Sequence, residues 1–150
     1  MKSKAPLMLM EQMVMLLVFA LAAALCLQAF VKADEISRRA EARDRAVILC
    51  QTVAEEIKAV GEVDRNPVSA VASKLDADYR EPGTFGLEYN KDWQRRTGNE
   101  EIAYQVTVTE LDSGVPGLGT ADIMVTNAGR SPEPLLFEVQ VCWQEVSAHG

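Results

Sequence analysis

The sequence predicts an α+β protein in which one long N-terminal helix, transmembrane at first and then amphipathic, packs on a four-stranded antiparallel sheet. Three observations carry that expectation: an apolar run near the N-terminus, a three- and four-residue spacing of apolar positions from Ile36 to Val60, and four alternating stretches beyond Arg80. At 150 residues, 48% hydrophobic and 25% charged, the chain suffices for about one domain with a modest core. Its mean hydropathy of −0.03 conceals a division into an apolar stem and an acidic remainder. Of 15 Lys and Arg and 22 Asp and Glu, three basic residues and one acidic residue precede Ala33, so the rest of the chain carries 12 against 21, a formal −9. That balance excludes the basic face a nucleic-acid partner requires, and equally a polybasic patch for a membrane surface.

The first element is the apolar run. From Met13 to Val31 only Gln28 interrupts it, and as a helix these residues span roughly 28 Å, close to the hydrocarbon thickness of a bilayer. Lys2 and Lys4 ahead of it suit a secretory signal, but the stretch Gln28-Ala29-Phe30-Val31-Lys32-Ala33 holds no clean A-x-A cleavage site. Ala23-Ala24-Leu25 before Cys26 likewise places Leu where a lipoprotein signal has a small residue. A retained anchor is the better account. Glu11 stands at the edge of this segment. A carboxylate at mid-membrane costs about 2.5 to 3.5 kcal/mol and marks function, whereas beside Gln12 it could also sit among headgroups.

The segment Lys4-Ala5-Pro6-Leu7-Met8-Leu9-Met10-Glu11-Gln12-Met13-Val14 resembles the start of a type IV pilin or pseudopilin. Those proteins carry a short basic leader, a cleavage site, and an apolar stretch with a glutamate at the fifth mature position. With Leu7 as the first residue, Glu11 takes that place. The resemblance implies a leader over 1–6, a transmembrane part over 7–33, an amphipathic continuation over 34–61, and a short helix plus sheet over 62–150. It further implies processing between Pro6 and Leu7 by a prepilin peptidase, and pairing of Glu11 with the terminal amine of a neighbouring pilin-like subunit. Pro6 stands where the family has Gly and Leu7 where it usually has Phe, which points to a minor or atypical subunit of a type II secretion or type IV pilus-like assembly. The expected location is the cell membrane, single-pass, with the N-terminus cytoplasmic and the C-terminal domain outside. The basic residues Lys32, Arg38, Arg39, Arg43 and Arg45 after the span argue the opposite orientation by charge count, and the family topology overrides them here. The rival reading is a stand-alone single-pass protein with an extracytoplasmic binding domain.

Beyond the anchor, Ile36, Ala40, Val47, Cys50, Ala54 and Ile57 recur at helical spacing, widened by Ala46, Leu49, Val53 and Val60. No Pro or Gly intervenes between Leu7 and Val60, so one helix of roughly 80 Å is expected to run to Gly61. Asn66-Pro67 then opens a short helix over Val68, Val71, Ala72 and Leu75. Phe85, Leu87 and Tyr89 alternate with polar residues, as do Ile102 to Thr109, Ala121 to Val125 and Phe137 to Gln144. Arg95-Arg96-Thr97-Gly98-Asn99, Ser113–Gly119 and Asn127–Pro134 serve as connections. Such a meander buries one face, and the helix stripe is its natural cover. This order of elements is also pilin-like, which is an argument from architecture.

No catalytic constellation emerges. His149 is the single histidine and lies at the terminus, three scattered cysteines give no zinc spacing, and Gly114, Gly117 and Gly119 lack the Gly-Lys-Ser/Thr of a phosphate loop. Asp112 has too few carboxylates beside it for calcium. The expectation is therefore no enzyme, no cofactor and no metal. Cys26 lies in the apolar run. Cys50 belongs to the stripe, and Cys142 is offset by one from Phe137, Val139, Val141 and Trp143, so the two should face opposite ways as free thiols rather than pair.

Overall fold

The computed structural model describes residues 5–64, 66–96, 98–128 and 134–145. The protein is α+β, with one long N-terminal helix and a five-stranded antiparallel sheet. Helix α1 spans Ala5–Gly61 without a break, and Pro6 sits in its first turn, where a missing N–H costs nothing. The chain divides into two compact units, Met1–Glu41 and Ala42–Gly150. In the first, every described side chain from Leu7 to Glu41 is exposed, including Phe30 at 77% and Ile36 at 67%.

The second unit holds the core. Helix α2, Pro67–Lys74, follows α1 and starts with Pro67 after Asn66, as expected; it buries Val68, Val71 and Ala72. Strands β1 (Asp78–Glu81), β2 (Thr84–Tyr89), β3 (Tyr104–Leu111), β4 (Leu118–Asn127) and β5 (Leu135–Gln144) lie side by side in chain order. Five strands replace the expected four. The additional one, β1, has all four side chains exposed and three of them charged, so no apolar alternation announces it. It is held by pairing with β2, with an irregularity between Tyr79 and Glu81, and by the Tyr79 hydroxyl, which donates to the Ser69 carbonyl at 2.7 Å and lies 3.1 Å and 3.2 Å from the Ser69 and Ser73 hydroxyls of α2.

One face of the sheet is apolar. Phe85, Leu87 and Tyr89 of β2, Val106 and Val108 of β3, Ala121, Ile123 and Val125 of β4, and Val141 and Trp143 of β5 join Ala46, Cys50, Val53 and Ile57 of α1 in a single cluster. Leu49, Ala54 and Val60 pack beside these residues, as the spacing predicted, but the covering stripe starts later along α1. It begins at Ala42 and runs Ala46, Cys50, Val53, Ile57, whereas Ile36 and Ala40 are exposed and Val47 is only half-buried. Four- and three-residue steps keep those five on one line, and Ile36 and Ala40 precede the first contact.

Close approach of backbone and indole closes one end of this core. A Cβ on Gly61 would stand 2.8 Å from Cδ1 of Trp143, and one on Gly119 would fall inside the indole itself. The end of α1, the start of β4 and the end of β5 therefore meet around one aromatic ring. Its Nε1 is buried without a hydrogen-bond partner.

Candidate functional site

The N-terminal unit carries the most distinctive surface. Leu7, Met8, Leu9, Met10, Met13, Val14, Met15, Leu16 and the residues after them are between 58% and 76% exposed as far as Phe19, a contiguous apolar surface of the kind that marks a membrane or protein interaction site. This helix is the one among the described residues that is long and apolar enough to cross a membrane. Glu11 is exposed within it. At helical spacing its neighbours are Leu7 and Met8 on one side and Val14 and Met15 on the other, so its carboxylate projects from an apolar collar. Among the described residues no basic side chain pairs with it. The next charged groups on α1, Lys32 with Glu35 at 3.4 Å and Arg38 with Asp34 at 3.0 Å, form exposed pairs worth little in water. Pro6 and Leu7 both lie in the helix; residues 1–4 of the expected leader are outside the described residues.

In the second unit no cluster has the makings of a catalytic centre. No group of three His, Cys, Asp or Glu among the described residues could hold a metal ion, and His149 lies outside them. The glycine loop is a connection between β3 and β4. Asp112 accepts the Gly114 N–H at 3.0 Å, and the Ser113 hydroxyl donates to the Leu118 and Val115 carbonyls at 2.5 Å and 3.0 Å, so both side chains serve the turn. Cys50 is buried with Sγ 3.8 Å from the Ile123 carbonyl, while Cys142 is exposed on the opposite face, and all three cysteines are free. Burial pushes the Cys50 thiol up to about 11, with the Asp122 carboxylate adding to it.

Three arrangements lay beyond sequence reasoning. The first is the connection from β2 to β3. Trp93, with φ of 61°, stacks on Tyr104 at 3.8 Å between ring centroids. Arg95 reaches across to the end of α2, donating to the Leu75 and Asp76 carbonyls at 3.1 Å and 2.9 Å, with its guanidinium 6.0 Å from the Tyr89 ring. The second is on the outer face of the sheet, where Glu88 is clamped between Arg96 at 2.5 Å and Arg80 at 3.7 Å. The third, also on that face, is the pair Asp122 and Glu138, whose side chains share a hydrogen bond; that bond and the Asp122 charge raise the Glu138 carboxyl above its ordinary range. Arg95 and Arg96 lie in a turn and Glu88, Asp122 and Glu138 in the polar phase of an alternation, so nothing local distinguishes them from solvated side chains.

No known protein family, curated protein or solved structure matches this chain.

Proposed function

We propose that this protein is a membrane-anchored, minor pilin-like or pseudopilin-like structural subunit of a type II secretion or type IV pilus-like assembly. The observation that carries the reading is the single carboxylate, Glu11, set in the exposed apolar surface of a helix that continues without a break into the cover of an antiparallel sheet. In hydrocarbon an unpaired carboxylate is costly, about 2.5 to 3.5 kcal/mol at mid-depth, and no basic side chain among the described residues offsets that cost for Glu11. The Leu7 amine of a neighbouring subunit, freed by removal of residues 1–6, supplies a cation. Apolar helix surfaces then pack against each other and lipid, and the sheet domain sits outside the cell membrane with the N-terminus cytoplasmic. The role is structural, with a prepilin peptidase and other pilin-like subunits as partners.

Two measurements test this. Intact mass from the native host should correspond to a chain beginning at Leu7, and cross-linking in native membranes should yield ladders containing this chain that Glu11→Ala abolishes while the anchor still inserts. Pro6 in place of the family's Gly favours a second reading, a stand-alone single-pass protein with an extracytoplasmic binding domain. That reading requires a retained leader and cross-linking indifferent to Glu11→Ala.

A further inference from the structure

The two outer edges of the sheet are unlike. At one edge β1 is four residues long, three of them charged, with an irregular register, all features that discourage a further strand. At the other, β5 runs ten residues with no proline and one charge, Glu138.

Hydrogen-bond parity identifies what β5 offers. Beyond the ends of the two strands the Glu145 N–H donates to the Gly117 carbonyl at 2.9 Å, and the register continues as Gly119↔Trp143, Ala121↔Val141 and Ile123↔Val139. Antiparallel pairs alternate between bonded and non-bonded, so the odd-numbered residues of β5 bond to β4. On the far side of β4 the Ala128 N–H donates to the Ala103 carbonyl at 2.8 Å, which assigns the even-numbered β4 residues to β3 and agrees with that parity. The backbone N–H and C=O groups of Glu138, Gln140 and Cys142 therefore point away from the sheet. Along the same edge Phe137 and Val139 are only half-buried, leaving the apolar layer unfinished on this side.

Charge narrows the occupant. Asp122 lies opposite Gln140, and Glu138 lies opposite Met124, so the two carboxyls are diagonal neighbours on the outer face. Among the described residues no basic group pairs with either, although on the other flank of the same face a single carboxylate, Glu88, has two arginines. A second copy of β5 would not supply the missing cation. Two-fold pairing about Gln140 sets Phe137 against Trp143, Val139 against Val141 and Glu138 against Cys142, which brings a second pair of carboxyls and no base.

We propose that the edge of β5, which no further strand pairs with among the described residues, takes up an extended segment of another protein as a sixth strand, with apolar side chains against Phe137, Val139 and Val141 and a lysine or arginine facing Glu138 and Asp122. Main-chain bonds to Glu138, Gln140 and Cys142 give the attachment, and the alternate side chains give selectivity. The proposal is independent of the anchor and of Glu11, so either can fail without the other.

The test uses the full chain in detergent micelles with two dye-labelled peptides, Thr-Val-Thr-Val-Lys-Val-Thr-Val-Thr and its counterpart with Glu for Lys, titrated by fluorescence anisotropy. The lysine peptide is expected to bind about ten-fold more tightly and to slow alkylation of the exposed Cys142 thiol. Gln140→Pro removes an N–H that bonds nothing in the sheet, so it should abolish binding and protection while leaving the unfolding midpoint near that of the parent. Glu138→Gln should bring the two peptides closer together in affinity, and it keeps the test decisive if the proline variant unfolds. Equal affinity for both peptides, binding of neither, unchanged binding by a folded Gln140→Pro protein, or self-association of the parent that Gln140→Pro removes would each overturn the proposal, the last by making a second copy the occupant.

Discussion

Cys50 and Cys142 show how far one side chain's position decides its chemistry. Cys50 is fully buried between α1 and β4, and a thiol pushed up to about 11 holds on the order of one part in a thousand as thiolate at pH 8. Cys142 is exposed on the other face of the sheet. Iodoacetamide at pH 8 should therefore modify Cys142 in the folded protein at a rate at least about 100-fold above Cys50, with Cys50 reacting only on unfolding, as read by peptide mass spectrometry. Equal rates would mean the helix is not seated on the sheet. The opposition of these two residues is legible in the sequence, because a strand alternates strictly and Cys142 is out of phase with Val141 and Trp143. Asp122 and Glu138 are different. Their adjacency depends on the register Met124↔Glu138, which neither strand encodes alone.

At the scale of elements, the end of α1 illustrates a residue with two causes. Gly61 reads from sequence as a helix terminator, and the fold adds that the Trp143 ring leaves no room there for a side chain. Gly119 is under the same constraint from the opposite side. Gly119→Ala should destabilise the domain by about 1 to 3 kcal/mol through overpacking, measured as a lower denaturant midpoint, because the indole is fixed between two backbones and the ring is rigid. The helix stripe was legible in period and not in extent. Ile36 and Ala40 share the spacing of Ala46 and Cys50, yet burial starts only at Ala42, since spacing describes a face and says nothing about where the partner surface begins.

For the whole molecule, the division at Glu41 and Ala42 separates an exposed apolar helix from everything that builds the core. A chain starting at Ala42 should remain soluble and unfold cooperatively by circular dichroism. One starting at Glu62 loses Ala46, Cys50, Val53 and Ile57 from the cluster and should not fold, since truncations of that kind cost several kcal/mol each in domains this small. The anchor-length run, the continuation of α1, the short α2 behind Pro67 and four one-faced strands are all written in the sequence, because each depends on periodicity or on Pro and Gly within a few residues. Glu11 is equally visible, as the one carboxylate in an apolar stretch. Strand β1, the Trp93–Tyr104 stack, the reach of Arg95 to the end of α2 and the unequal edges of the sheet are not. They arise from which segments become neighbours across 10 to 20 or more residues of chain, and such pairings are selected by the joint fit of all strands and the helix stripe, a property no local window contains.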